Sequence, residues 1–129
     1  VSVNAESARY KELQEDNFYI PEDWDSTWRN NLISFNRNAN HMYHQCIEDL
    51  VEGGMDRKRA KESARFFKPY SSQITADVMF NWRSFAHFLN LRNKPDAQLE
   101  IREIAATMLE QVKNIQGNPF KLTLEAFGL

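Results

Sequence analysis

Residues 81–101 read NWRSFAHFLNLRNKPDAQLEI and hold two helix signals in tandem. Trp82, Phe85, Phe88 and Leu89 fall on one side of a helix at about 100° per residue, which predicts a helix over 81–93. Pro95 then interrupts, because the residue before a proline is pushed out of the α region. Asp96 is a suitable cap for a second helix over 97–114, whose buried stripe is Ile101, Ile104, Ala105, Met108 and Val112. Arg83 and His87 stand four apart and share a face. Arg92 falls between Phe85 and Phe88, on the apolar side. A guanidinium keeps its charge, so a buried one needs an anionic partner, either a carboxylate of the protein or an anionic ligand.

The same reading extends outward. Asp25 or Ser26 caps a long helix in which Trp28, Leu32, Phe35, Met42, Cys46 and Leu50 make an apolar face, and Gly53-Gly54 ends it. Asp56 caps another helix that runs to about Phe67, closed by Lys68-Pro69. Residues 1–12 read as an ordered loop leading into a short helical turn, 17–21 as a short extended piece, and 21–25 as a turn. Residues 71–80 alternate partly and read as one strand or simply as extended chain; a lone strand there would have an unpaired edge that seeks a partner chain. The tail from Phe120 to Leu129 keeps Leu122, Leu124, Phe127 and Leu129, so it should pack. The fold class is α+β and mainly helical, in a single domain over 1–129.

Composition narrows the function. The chain has 129 residues, 42% of them hydrophobic, and a formal charge of −2. That charge argues against a general nucleic-acid binder, which carries a basic excess. No run of about 20 apolar residues predicts a membrane span. The start is polar, without the pattern of a signal peptide, and the expected compartment is the cytoplasm. One cysteine, Cys46, excludes an intrachain disulfide and a multi-cysteine metal site. It lies on an apolar stripe, where a thiol is inert. His41 and His44 are three apart without a third ligand at suitable spacing, and read as structural or exposed. The basic run from Arg57 to Lys61 reads as a solvated helix start.

Arg83-Ser84, Phe88-Leu89, Leu91-Arg92, Ala97-Gln98 and Glu100-Ile101 resemble the C-terminal signature of the flavin-dependent thymidylate synthases. Asn4, Ser7, Arg9 and Tyr10, in NAESARY, resemble the second half of that family's nucleotide-binding motif, which follows an Arg-His-Arg triplet. Phe18-Tyr19-Ile20-Pro21 and Ala64-Arg65 also sit where the family has similar residues. The resemblance covers nearly the whole chain in order. It implies the family's fold, with its N-terminal sheet portion and the triplet upstream of Val1.

It also implies a function: conversion of dUMP to dTMP by an FAD-dependent methyltransferase of nucleotide biosynthesis. Methylenetetrahydrofolate would be the carbon donor and NADPH the reductant, in a homotetramer with no nucleic-acid or membrane partner. By this resemblance Ala5, Glu6, Ser7, Ala8, Arg9, Arg65 and Arg92 face dUMP, and Arg92 is the catalytic residue. Asn81, Trp82, Arg83 and His87 face FAD, and no metal is implied. An inert Cys46 agrees with chemistry that uses no cysteine nucleophile. The chain departs from the pattern at Ala5, where the family has glutamate, and at Asp96, where it often has histidine. The alternative is a non-catalytic helical scaffold or oligomerisation module that needs a separate chain for activity.

Overall fold

Asp25 has an extended backbone and accepts the Trp28 N–H through its side chain at 3.1 Å, and α1 (Ser26–Glu52) starts behind it. The helix stops at Gly53, and Gly54 takes a φ of +92°, a conformation that favours glycine. The computed structural model describes residues 1–5, 7, 12–13 and 16–129. They form two compact units, Asn4–Asp77 and Val1–Val3 with Val78–Leu129. Among the described residues no helix is long and apolar enough to cross a membrane.

In the unit Asn4–Asp77, α1 packs against α2 (Arg57–Ala64) and the 3-10 turn Arg65–Phe67. The Asp56 carboxylate caps α2, accepting the N–H groups of Lys58 and Arg59. Ala60 and Ala64, one turn apart, present no bulk, and the core forms there with Leu13, Tyr43 and Ile47. Burying Ile47 fully makes Ile47→Ala a loss of about 2–5 kcal/mol. Lys68 has extended backbone before Pro69, as expected.

The buried face of α1 is not the one its apolar residues suggest. Asn36, Ala39, Asn40, Tyr43 and Ile47 are buried, whereas Trp28 is 62% exposed and Phe35 59%. The polar members are tolerated because they are satisfied. Asn36 donates to the Leu32 carbonyl at 2.8 Å and accepts the Ser71 hydroxyl. Asn40 accepts the Lys68 ammonium at 3.0 Å. The extended piece near Phe18 pairs antiparallel with Ser72, with Tyr19 N–H donating to the Ser71 carbonyl at 2.9 Å.

Two further expectations are corrected by the strands. Residues near the start form β1 (Ser2–Ala5) rather than a loop, and it hydrogen-bonds with β2 (Ala76–Met79) in a two-stranded sheet. The strand predicted over 71–80 thus shortens and finds a partner within the chain. Neither strand buries a residue.

The unit that ends the chain is built on α3 (Trp82–Arg92), α4 (Leu99–Lys113) and α5 (Lys121–Ala126). Phe85, Leu89 and Ala105 form its core, flanked by Phe80, Trp82, Phe88, Met108, Leu109, Val112 and Leu129. Gln98 rather than Asp96 is the N-cap of α4, and no side chain caps it. Asp96 instead pairs with Lys94 at 3.3 Å. Ile104 is exposed, so the α4 stripe is narrower than its apolar count. Leu124 is buried and Leu129 packs on the core, whereas Leu122 and Phe127 are exposed, so the tail packs through only two of the four residues expected.

A polar network ties Glu12 and Asp16 to α1, α2 and Lys68. His44 meets Glu12 at 3.1 Å and Asp16 at 3.0 Å, Lys68 meets Asp16 at 3.0 Å, and Arg57 bridges Glu12 and Glu48 at 3.0 Å each. Arg57 is therefore an ion-pair partner, not merely part of a solvated helix start. Partial burial alone would raise the Glu12 carboxyl, but hydrogen bonds from His44 and Arg57 and their charges hold it below the usual range. Burial opposes Lys68 and His44 in the same way at Asp16, which also ends up lowered. Both folded values lie below the unfolded ones. Their contribution is thus present above the ordinary carboxylate pKa and is lost as pH falls through the folded value. Circular-dichroism melts should show Tm falling on acidification below about pH 4. Glu12→Gln combined with Asp16→Asn should lower Tm at neutral pH and flatten that acid slope. An unchanged slope would mean that other carboxyls set it.

Candidate functional site

α3 begins because the Asn81 side-chain oxygen accepts the Ser84 N–H at 2.9 Å from an extended backbone. This uses the carbonyl end of the amide and leaves its NH2 as a donor. Trp82 follows, half-buried, with its ring centroid 4.9 Å from Phe120 and 6.0 Å from Phe85. Phe80 lies 5.9 Å from Phe85 and 5.5 Å from Phe88. These rings border a groove of about 260 Å³ lined by Phe80, Asn81, Trp82, Phe85, Met108, Val112 and Phe120. No lining residue is charged, and Asn81 is the polar one. The groove is smaller than a pocket of about 300–1,000 Å³ that encloses a whole cofactor. It suits one planar apolar ring system, held by offset and edge contacts.

Two of the four residues expected at a flavin, Asn81 and Trp82, therefore line one groove. The other two, Arg83 and His87, lie one turn apart on the exposed face of α3. Phe80, Met108, Val112 and Phe120 were not singled out as site residues by the sequence. Phe120 follows Pro119 after a break in the pattern, and that aromatic was the one available signal.

Arg92 corrects the expectation of a buried guanidinium. It is exposed, as the last residue of α3. Its angular position matches Phe85, but the helix ends there, and it forms no ion pair with any described residue. Arg65 is likewise exposed and unpaired among the described residues, at the C-cap of α2, where its carbonyl accepts the Lys68 N–H at 3.0 Å. Arg83 is also unpaired among the described residues. Arg37, Lys58 and Lys113 share this state, so a missing partner marks availability rather than function.

Ala5 closes β1 and is exposed, where it offers only backbone groups, and Ser7 is half-buried. Glu6, Ala8 and Arg9 lie outside the described residues. Arg65, Ala5 and Ser7 belong to the unit Asn4–Asp77, and the α3 residues to the other. Cys46 is partly buried against the core of its unit. His41 is exposed, and His44 is engaged by two carboxylates.

Comparison with known proteins adds the family context. The family model described as thymidylate synthase complementing protein matches residues 1–116. A flavin-dependent thymidylate synthase of Clostridium tetani is 31% identical over 130 residues, covering 93% of this chain and 52% of that protein. One from Thermosipho africanus is 32% identical over 141 residues, covering 98% and 58%. The chain spans about half the length of these curated relatives. Among solved structures, the UMP/dUMP methylase PolB from Streptomyces cacaoi, bound with 5-Br UMP, superposes with a TM-score of 0.64. The match covers 98% of this chain and 64% of PolB at 23% identity, and establishes a common fold.

The cap and any ligand role of Asn81 separate by substitution. Asn81→Ala should cost about 0.5–2 kcal/mol, read as a lower urea midpoint, whereas Asn81→Asp keeps the acceptor and should hold stability. Equal losses in both would show that the cap is not what Asn81 supplies.

Proposed function

As a member of the thymidylate synthase complementing protein family, this chain, we propose, serves flavin-dependent thymidylate synthesis. The reaction is methylation of dUMP at carbon 5 to give dTMP, with methylenetetrahydrofolate as carbon donor and NADPH as reductant. The match across residues 1–116 carries the reading. The names of the relatives and the dUMP methylase neighbour support it. On this reading residues 1–129 act together as one part of a cytoplasmic enzyme subunit.

The residues fit a flavin in their chemistry. The groove at Trp82 offers aromatic walls to a planar ring, Asn81 offers an amide donor beside it, and Arg83 and His87 offer exposed polar groups on α3. Held there, a reduced FAD would supply hydride chemistry to the methyl transfer. The chain's own part is binding, orientation and charge. Arg92, unpaired among the described residues and permanently cationic, would stabilise negative charge that develops on the uracil ring. Arg65 and Arg9 would hold dUMP by forked hydrogen bonds. Ser7, with the backbone of Ala5, Glu6 and Ala8, would complete that contact. Cys46 takes no part, since it packs on α1 against the core.

Assembly into a homotetramer is part of the reading. Trp28, Phe35 and Met42 recur every seven residues on α1 and are all exposed, an apolar line that water disfavours. Phe35→Glu should shift the protein to a smaller mass in size-exclusion chromatography with light scattering. An unchanged mass would remove this face from the assembly.

The visible spectrum of the purified protein tests the function, with FAD and then dUMP added. A flavin spectrum perturbed by dUMP is expected, and Arg92→Ala should abolish that perturbation while far-UV circular dichroism stays unchanged. Loss of helicity in Arg92→Ala would make Arg92 a structural residue. An associated, folded chain that binds no flavin would instead be a scaffold that depends on a separate chain.

A further inference from the structure

We propose that α1 pairs antiparallel with α1 of a second copy of this chain, the Trp28 indole of each copy entering the hollow beside Met42 of the other. The pairing rests on the assembly proposed above and not on the enzyme activity. On α1, Trp28, Phe35 and Met42 stand seven apart, and Asn31, Asn38 and Gln45 follow each of them by three. At about 100° per residue these six make one stripe, the a and d positions of a heptad pattern. All six are exposed and none is charged. Aromatic residues and methionine without charges mark the centre of protein–protein contacts. Among the described residues the Asn38 amide donates only to the Met42 sulfur, at 3.9 Å. A thioether is a weak acceptor, so this amide gains from a polar partner across a seam.

The two ends of the stripe differ in shape. Trp28, in the first turn of α1, is a large ring left 62% exposed. At the other end Met42, Gln45, Cys46 and Asp49 border a hollow of about 370 Å³, with Phe67 of the 3-10 turn beside them. Their spacing, i, i+3, i+4 and i+7, is that of the four residues that receive one knob when helices interlock. Gln45 donates to Asp49 at 2.7 Å and so ties two corners of the hole together. A parallel pair would set ring on ring and hollow on hollow. An antiparallel pair sets ring into hollow twice, because in a two-fold contact i meets j and j meets i. The register follows by counting. Trp28 centred on its four receiving residues puts the two-fold axis between Phe35 and Asn38. The same register seats Phe35 among Phe35, Asn38, Ala39 and Met42 of the other copy, and Met42 among Trp28, Asn31, Leu32 and Phe35. Three layers close in one register, and that self-complementarity commits the face to a second copy.

Cross-linking with a short bismaleimide tests the register. Cys46→Ala removes the native thiol, and Asn31→Cys and Met42→Cys are placed in separate chains, which leaves Trp28 and Phe35 intact. The two chains, mixed and re-equilibrated, should link to each other several-fold faster than either links to its own kind. Each chain linking to itself as fast as to the other would mean a parallel pair and overturn the proposal. If Cys46→Ala fails to fold, Cys46 is kept and the linked peptides are identified by mass spectrometry. Trp28→Ala should weaken self-association about tenfold in light scattering, as loss of an aromatic anchor does. Unchanged association would overturn the seating of Trp28. An unsubstituted chain that assembles but shows no link between Asn31→Cys and Met42→Cys would overturn the pairing and leave the assembly to another face. A monomeric unsubstituted chain would overturn the assembly and the pairing together.

Discussion

Lys68 carries its ammonium into a place where its side chain is only 9% exposed, and the groups that receive it come from two other parts of the chain. Asp16 supplies a carboxylate and Asn40 of α1 a carbonyl, each at 3.0 Å, and the Tyr43 ring lies 4.4 Å away as a cation–π partner. A buried charge stripped of its partner costs several kcal/mol, so these three elements hold together or the cation returns to water. The net worth of the pair is smaller than that penalty, because Asp16 keeps 41% of its side chain in solvent. Its effect is specificity. It fixes which residues of the first segment and of the turn after α2 meet which turn of α1.

That constraint explains why α1 was misread. Counting apolar residues selects Trp28, Phe35 and Met42, which are exposed, and passes over Asn36 and Asn40, which are buried. Periodicity sees only the helix's own residues. What makes the asparagine face the inner one lies elsewhere, in Ser71, Lys68 and Asp16, 24 to 35 residues away in sequence. Local signals were legible where the physics is local. Asp25, Asp56 and the stop at Gly53-Gly54 set the ends of α1 and α2, and Lys68-Pro69 set the extended exit. β1 was not legible, because four exposed residues become a strand only when β2 hydrogen-bonds to them.

The candidate site divides in the same way. Helix α3 and the shared face of Arg83 and His87 follow from spacing alone, and the structure keeps them. The groove at Trp82 does not, since Phe80, Met108, Val112 and Phe120 reach it from outside α3. Arg92 shows the limit of angular reasoning. Its direction matches Phe85 and Leu89, but burial also needs something packed opposite. At the last residue of the helix the apolar stripe has run out.

The exposed arginines and the apolar line on α1 have one physical property in common. Among the described residues each leaves favourable free energy unrealised: a cation without an anion, an aromatic face without cover. The described carboxylates of the N-terminal segment, Glu12 and Asp16, are already committed to His44, Arg57 and Lys68. Taking Asp16 for another cation would leave the Lys68 ammonium without its carboxylate and expose it to its desolvation cost. Arg65 and Arg92, exposed and without an ion-pair partner among the described residues, are left to solvent. Charge made available in this way costs the fold nothing, because a solvated guanidinium contributes little to stability. It becomes energetically important only when a phosphate or a uracil carbonyl excludes the water around it.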